Sequence, residues 1–125
     1  TKKRRILLVD DEVSITRALA VYLEENGECD VRVENQGSRA LATAREFRPD
    51  LIFLDIMMPD ADGSALAAEM KTDPVLRTIP IVFLTALVSQ HEARGGTMRI
   101  GGHPFLAKPV DPDTVLEYID KHALP

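Results

Sequence analysis

The chain has 125 residues, of which 45% are hydrophobic and 28% charged, and its formal net charge is −5 at pH 7. This length and composition indicate one globular domain spanning 1–125, and the apolar runs are too short for a membrane span or a signal peptide. The negative charge argues against nucleic acid as a direct partner of this domain, and a single cysteine, Cys29, favours a reducing, cytoplasmic location.

The first predicted strand is the apolar run 6–9, which is followed by three acids, Asp10, Asp11 and Glu12. These acids either begin a helix, where the helix dipole favours negative charge, or two of them point into one pocket. Apolar residues at helical spacing then predict a first helix that ends at Gly27 in a left-handed conformation. Its apolar residues are Ile15, Ala18, Leu19, Tyr22 and Leu23.

The second and third strands flank a second helix. Val31 and Val33 alternate with charged residues, as in a half-exposed strand at a sheet edge. The four apolar residues 51–54 predict a strand buried on both faces, and this strand ends at Asp55. A third helix follows Gly63. The apolar residues of the second helix are Ala40, Leu41, Ala44 and Phe47, and those of the third are Ala65, Leu66, Ala68 and Met70.

The last third of the chain begins with a loop over 72–80 and a fourth buried strand over 81–84. Four glycines between 95 and 102 predict a short, weakly held fourth helix at about 89–98. A fifth strand covers 105–107, and Asp111 with Pro112 begins the fifth helix, whose apolar residues are Val115, Leu116, Ile119 and Ala123. Five strands alternating with five helices predict an α/β fold with a parallel sheet covered on both faces.

Polar residues directly follow four of the predicted strands. They are Asp10 and Asp11, Asp55, Thr85, and Lys108. The carboxyl ends of parallel strands share one edge of the sheet, so these side chains are expected to lie together. Three crowded carboxylates need a cation or must hold protons, and an all-oxygen donor set without histidine or cysteine favours Mg²⁺.

Asp55 is central in the predicted sheet and is therefore the candidate nucleophile toward phosphorus, although a strand-end acid can also simply cap the next element. An acyl phosphate there replaces one negative charge by about two. Lys108 and the metal would offset that charge, and the Thr85 hydroxyl would donate to a phosphoryl oxygen.

These residues and their order resemble the receiver domain of two-component response regulators. The resemblance rests on Asp10-Asp11, the stretch 54–59 with Gly63, Thr85-Ala86, and the stretch 105–109. It covers nearly the whole chain and implies a flavodoxin-like, doubly wound sheet with strand order 2-1-3-4-5.

The resemblance also implies roles for individual residues. Asp55 would accept a phosphoryl group from a histidine kinase or a phosphotransfer protein. The implied Mg²⁺ ligands are Asp10, Asp11, Asp55 and the backbone carbonyl of Met57. The implied phosphoryl-binding and switch residues are Thr85, Ala86, Lys108 and Phe105. The Lys108–Pro109 bond would be cis, and the kinase would dock on Ser14, Ile15, Ala18 and Pro109.

Three features depart from the family pattern. Met57 and Leu87 are apolar where they would flank the water that attacks the acyl phosphate, so slow self-hydrolysis is predicted. The glycine-rich segment 95–102 is unusual before the fifth strand and puts the shape of the output face in question. Phe105 stands where tyrosine is commoner, so any switching there would rest on packing alone.

Two other functions stay open at this point. A Mg²⁺-dependent aspartyl phosphatase needs a second acid two residues after the nucleophile, where this chain has Met57, so turnover catalysis is not expected. A receiver-like interaction module that never carries phosphate is opposed by the complete set of acids, threonine and lysine. The favoured function is a population shift in which phosphorylation changes the face built by the fourth helix, fifth strand and fifth helix. The effector or output domain is unknown, and a phosphorylation-dependent dimer stays open.

Overall fold

A five-stranded parallel sheet forms the centre of the computed structural model, which describes residues 3–86 and 99–125. Its strands are β1 (Arg4–Val9), β2 (Cys29–Glu34), β3 (Leu51–Asp55), β6 (Ile81–Thr85) and β7 (Phe105–Ala107). A separate antiparallel ribbon pairs β4 (Met57–Met58) with β5 (Ala61–Asp62). The order in the main sheet is β2-β1-β3-β6-β7, which is the expected 2-1-3-4-5 order when the ribbon is left out of the count.

Four α-helices lie in the described part of the chain: α1 (Val13–Asn26), α2 (Ala40–Phe47), α3 (Gly63–Thr72) and α4 (Pro112–His122). A single 3₁₀ turn, Gly37–Arg39, precedes α2. The last helix, α4, is the one predicted as the fifth, and the fourth predicted helix, at about 89–98, falls outside the described residues. The five-stranded α/β architecture is therefore confirmed, and four of the five predicted helices are present.

The two faces of the sheet carry separate cores. In β3, Ile52 and Leu54 face one cluster, whereas Leu51 and Phe53 face the other. The first cluster includes the buried residues of α2 and α3, and the second includes those of α1 and α4. Covering on both faces explains why the central strands are continuous apolar runs, while β2 at the edge alternates.

The end of α1 differs from the prediction in its conformation. Gly27 has a φ of −121°, not a left-handed value, and the positive φ (51°) belongs to Glu28. Gly27 is nevertheless the C-cap residue of α1, since its N–H donates to the Leu23 carbonyl at 2.8 Å. The position also lies close to α4, because an added Cβ would lie 2.5 Å from Leu116 Cδ2. The predicted helix end is therefore correct, and its left-handed conformation is wrong.

The buried faces of α1 and α3 were also predicted wrongly in part. Ile15 and Ala18 are exposed, and α1 packs through Thr16, Leu19 and Leu23. In α3, Ala65 and Ala68 are exposed, and the buried residues are Gly63, Leu66, Ala67 and Met70. A helix buries only one stripe, and small or isolated apolar residues indicate its direction poorly. The start of α4 is as predicted, with the Asp111 side chain accepting a bond from the Asp113 N–H at 3.0 Å and Pro112 in the first position.

Candidate functional site

Three carboxylates meet at the carboxyl end of the sheet. Val9 and Leu54 are register partners in the neighbouring strands β1 and β3, so the next residues, Asp10 and Asp55, come out side by side. Both side chains are buried, and Asp11 lies beside them. One oxygen from each of Asp10, Asp11 and Asp55 lies within 4.8 Å of the others.

Lys108 brings a positive charge to the same place from the end of β7. Its Nζ lies 2.7 Å from Asp10 Oδ2 and 3.2 Å from Asp55 Oδ2. The same Nζ lies 3.0 Å from Glu12 Oε1. The Lys108 backbone N–H donates to the Thr85 carbonyl at 2.8 Å, which fixes where the lysine leaves the sheet.

The turn after β3 is built closely around Asp55. The Met57 N–H donates to Asp55 Oδ1 at 3.3 Å, and the Gly63 N–H donates to the Ile56 carbonyl at 2.8 Å. A Cβ at position 63 would lie 2.2 Å from the Asp55 carbonyl oxygen, so only glycine allows the chain to return this close. The Met57 side chain points outward and is 63% exposed.

Crowding changes the acid–base properties of the site. Burial, and then the nearby Asp10 charge, raise the pKa of Asp55 to about 6, although Lys108 acts in the opposite direction. Burial alone would lower the pKa of Lys108, but its hydrogen bonds to Asp10 and Glu12 raise that pKa above its ordinary value. The buried carboxylates thus carry an electrostatic cost that a bound cation would relieve.

The donor set fits Mg²⁺. The three clustered ligands are all carboxylates, which suit a hard cation, and the cluster contains neither histidine nor cysteine.

The other predicted phosphoryl-binding and switch residues lie in β6 and β7 or directly after β6. Thr85 is buried and follows Leu84, the register partner of Asp55 in β6. Ala86 is exposed. Phe105 is buried, lies opposite Phe83 in the sheet and belongs to the core cluster on the α2 and α3 face. Leu87 lies outside the described residues.

A groove of about 470 Å³ opens beside the carboxylates, between α1 and the segment after β7. Ile15 and Pro109, two of the predicted docking residues, line it together with Lys108. Ser14 and Ala18 are exposed on α1 but are not among its lining residues. The Lys108–Pro109 peptide bond is cis, the isomer that the resemblance implies.

Sequence reasoning gave no individual role to two residues of this site. Glu12 contacts Lys108, and its only signal was its place in the acidic triplet after β1. The Asn35 amide donates to the Asp10 carbonyl at 2.7 Å and to Thr16 Oγ1 at 3.0 Å. Asn35 follows β2, the strand beside β1, and this is the signal that could have identified it.

Comparisons with known proteins agree with this geometry. The family model of the response regulator receiver domain matches residues 6–120. Protein PilH of Pseudomonas aeruginosa is 33% identical over 93% of this chain and 94% of its own length. The probable transcriptional regulator ycf29 of Pyropia yezoensis is 35% identical over 93% of this chain, which spans about half (51%) of that protein.

The fold has close structural counterparts as well. The receiver domain of the Francisella response regulator 1452 superposes with a TM-score of 0.79, at 28% identity and 95% coverage of both chains. Among the helices of the described ranges, none combines the length and the apolar character that crossing a bilayer requires.

Proposed function

Because the chain belongs to the receiver domains of two-component response regulators, we propose that Asp55 accepts a phosphoryl group in this protein. Receiver domains are signalling modules rather than turnover enzymes. One observation carries the proposal. The carboxylates of Asp10 and Asp55 lie within 3.2 Å of the Lys108 ammonium, and the three residues come from three separate strand ends. We further propose that 1–125 acts as a single receiver domain.

The proposed reaction is transfer from phosphohistidine to the carboxylate. An Asp55 oxygen attacks phosphorus and forms the O–P bond, while the P–N bond breaks and its electron pair returns to the imidazole nitrogen. Lys108 donates to a phosphoryl oxygen and offsets the charge that builds up there. The buried Thr85 hydroxyl, one residue beyond the register partner of Asp55, donates to a second phosphoryl oxygen.

A bound Mg²⁺ would be held by Asp10, Asp11 and Asp55, with the Met57 carbonyl as a further ligand. When bound, the ion supplies positive charge to the transferring oxygens. Mg²⁺ and Lys108 together would offset the charge of the three proposed metal ligands, and the further charge of Glu12 is half-exposed to water, so the repulsion toward an anionic group is reduced.

The consequence of phosphorylation is a population shift toward an output conformation. New bonds from Thr85 and Lys108 to the phosphoryl group favour that conformation, and Phe105, packed beside Phe83, repacks with it. The change would reach partners through the face that includes β7, α4 and the helix predicted at about 89–98. A histidine kinase or phosphotransfer protein, docked over Ile15 and Pro109, is the proposed donor, in the cytoplasm.

The phosphatase alternative is not supported by the site. The residue two positions after Asp55 is Met57, which has no acid–base group and is 63% exposed. The same apolar side chain gives attacking water no hydrogen-bond partner, so we expect a long-lived acyl phosphate. Loss of radiolabel from the phosphorylated protein measures this, and a half-life of seconds would contradict it.

The test of the acceptor is intact-mass measurement after incubation with acetyl phosphate and Mg²⁺. The wild type is expected to gain about 80 Da, the mass of one phosphoryl group. Asp55→Asn is expected to gain nothing, and Asp30→Asn, an exposed acid of β2, serves as the matched control that is still labelled. Labelling of Asp55→Asn equal to that of the wild type would overturn the proposal.

A further inference from the structure

Glu12 is the N-cap residue of α1, but its side chain makes no capping hydrogen bond. Its backbone is held on both sides: the N–H donates to Asp10 Oδ1 at 3.1 Å, and the carbonyl accepts from the Thr16 N–H at 3.0 Å. The carboxylate instead reaches across to Lys108 Nζ, at 3.0 Å. Helix α1 therefore does not depend on this carboxylate for a capping bond.

All three N–H donors of the Lys108 ammonium have carboxylate partners in this arrangement. An ammonium group has three donors, and three carboxylates surround this one: Asp10, Glu12 and Asp55. In the proposed reaction the Asp55 carboxylate becomes an acyl phosphate, so its place on the ammonium passes to a phosphoryl oxygen, and the negative charge there grows from one to about two. The Glu12 carboxylate then shares one ammonium with this larger like charge, and the two repel each other.

Exposure decides which of the two remaining carboxylates gives up its contact with Lys108. The side chain of Asp10 is 3% exposed, whereas that of Glu12 is 46% exposed. Water can solvate a half-exposed carboxylate when its partner leaves, but a buried carboxylate that loses its partner bears the full desolvation cost.

We infer that Glu12 is a positioning residue that holds the Lys108 ammonium toward α1 in the unphosphorylated chain and releases it once a phosphoryl group is present on Asp55. The inference rests on the proposed function of Asp55. Removal of the Glu12 charge weakens only the unphosphorylated state, because the contact is already broken in the other state. Glu12→Gln should therefore bind a phosphoryl group more tightly than the wild type.

The probe for this experiment is beryllofluoride with Mg²⁺, a tetrahedral analogue of a carboxylate-bound phosphoryl group, titrated by calorimetry. Glu12→Gln is expected to bind it about 2- to 5-fold more tightly, which is the range that a partly exposed ion pair is worth. Glu25→Gln makes the same charge change on an exposed residue of α1 and is expected to leave the affinity unchanged. Equal affinities of Glu12→Gln and the wild type would overturn the inference but leave the proposed function standing.

Two further measurements separate this role from a general charge effect. In a Lys108→Gln background, the gain from Glu12→Gln should disappear, whereas a through-solvent effect of the charge would persist and contradict the inference. A crystal structure of the wild-type adduct should show Lys108 Nζ bonded to fluoride and more than about 4 Å from Glu12, beyond ion-pair distance. An intact pair at 3.0 Å in that adduct would overturn the inference, and a wild type that binds no analogue would overturn both the inference and the proposed function.

Discussion

At the scale of single residues, the site is a balance of charge around Lys108. Its ammonium contacts Asp10, Glu12 and Asp55 at 2.7, 3.0 and 3.2 Å. These contacts join segments that are remote in sequence, and burial makes their loss costly. Lys108 therefore has a structural role before any phosphoryl group or metal is present.

Lys108→Met tests this structural role in metal-free protein. The substitution keeps most of the aliphatic stem but leaves the buried carboxylates without their cation, so we expect the free energy of unfolding to fall by about 1–2 kcal/mol. The expected loss is smaller than the 3–5 kcal/mol of a fully buried pair because Asp55 can take up a proton. Urea denaturation in EDTA measures the loss. Lys121→Met, on the exposed side of α4, is the control, and equal losses in the two variants would contradict this role.

His103 is a pH-sensitive residue on a different strand connection from the carboxylates, just before β7. Its ring meets Phe83 edge-on at 5.4 Å, and burial, followed by the charges of Lys71 and Arg99, lowers its pKa below the ordinary 6.5. A histidine with a lowered folded pKa stabilises the fold above pH 6.5 and loses that contribution as the pH falls through its folded pKa.

His103→Phe keeps the ring contact and removes the titration. We expect its free energy of unfolding to fall less than that of the wild type between pH 7.5 and pH 5. Urea denaturation at a series of pH values gives the two slopes. Parallel slopes would show that His103 is protonated equally in the folded and unfolded states.

At the scale of elements, the turn after β3 positions Asp55 by close packing of backbone. Gly63 begins α3 directly against the Asp55 and Ile56 backbone, with no room for a Cβ. In the sequence, the ribbon β4–β5 connects β3 to α3. The shape of this turn thus depends on one glycine.

Gly63→Ala is expected to destabilise the fold by about 2–3 kcal/mol, since the backbone must move to relieve overpacking. The matched substitution Gly27→Ala should cost less, because its Cβ would meet the end of a flexible side chain, Leu116, at 2.5 Å. Denaturation midpoints compare the two variants. A smaller loss for Gly63→Ala than for Gly27→Ala would contradict the close-approach explanation.

The elements also show what the sequence could predict. The buried strands could be predicted because β3 and β6 are continuous apolar runs. Once the strands were predicted, the acids and the lysine could be assigned to their carboxyl ends. The sequence did not correctly predict which faces of α1 and α3 are buried, because Ala18, Ala65 and Ala68 are apolar yet exposed. The position of Gly27 against Leu116 depends on a helix almost 90 residues later, which no local pattern reveals.

The candidate site was predictable in composition but not in its contacts. Parallel strand ends bring Asp10 and Asp55 together on general grounds. That Lys108 also contacts Glu12, and that Asn35 braces the Asp10 carbonyl, depends on side-chain directions that only the assembled fold defines. The strand order itself came from the family resemblance, not from the residues.

At the scale of the whole molecule, the carboxylate cluster lies at the end of the sheet that separates the two core clusters. Asp10 and Asp11 follow β1 and Asp55 ends β3, and the residues of both strands alternate between the clusters. A ligand that binds the folded chain alone stabilises all of it. Mg²⁺ is therefore expected to raise the stability of the complete domain.

The prediction is a free energy of unfolding that grows with the logarithm of Mg²⁺ concentration, by about 2.7 kcal/mol at 100 times Kd. Asp11→Asn is expected to lose most of this increment, because a proposed ligand is removed, and Asp30→Asn is expected to keep it. Thermal denaturation over a Mg²⁺ series gives the increments. An increment in Asp11→Asn as large as in the wild type would argue against the carboxylate cluster as the metal site.

The most direct test of the central claim is to locate the phosphoryl group chemically. Phosphorylated protein treated with borohydride converts an acyl phosphate of aspartate to homoserine, and peptide mass spectrometry then reads its position. We predict homoserine at position 55 and at no other aspartate. Homoserine at Asp10 or Asp11 with Asp55 unchanged, or phosphate retained on another residue type, would contradict the account.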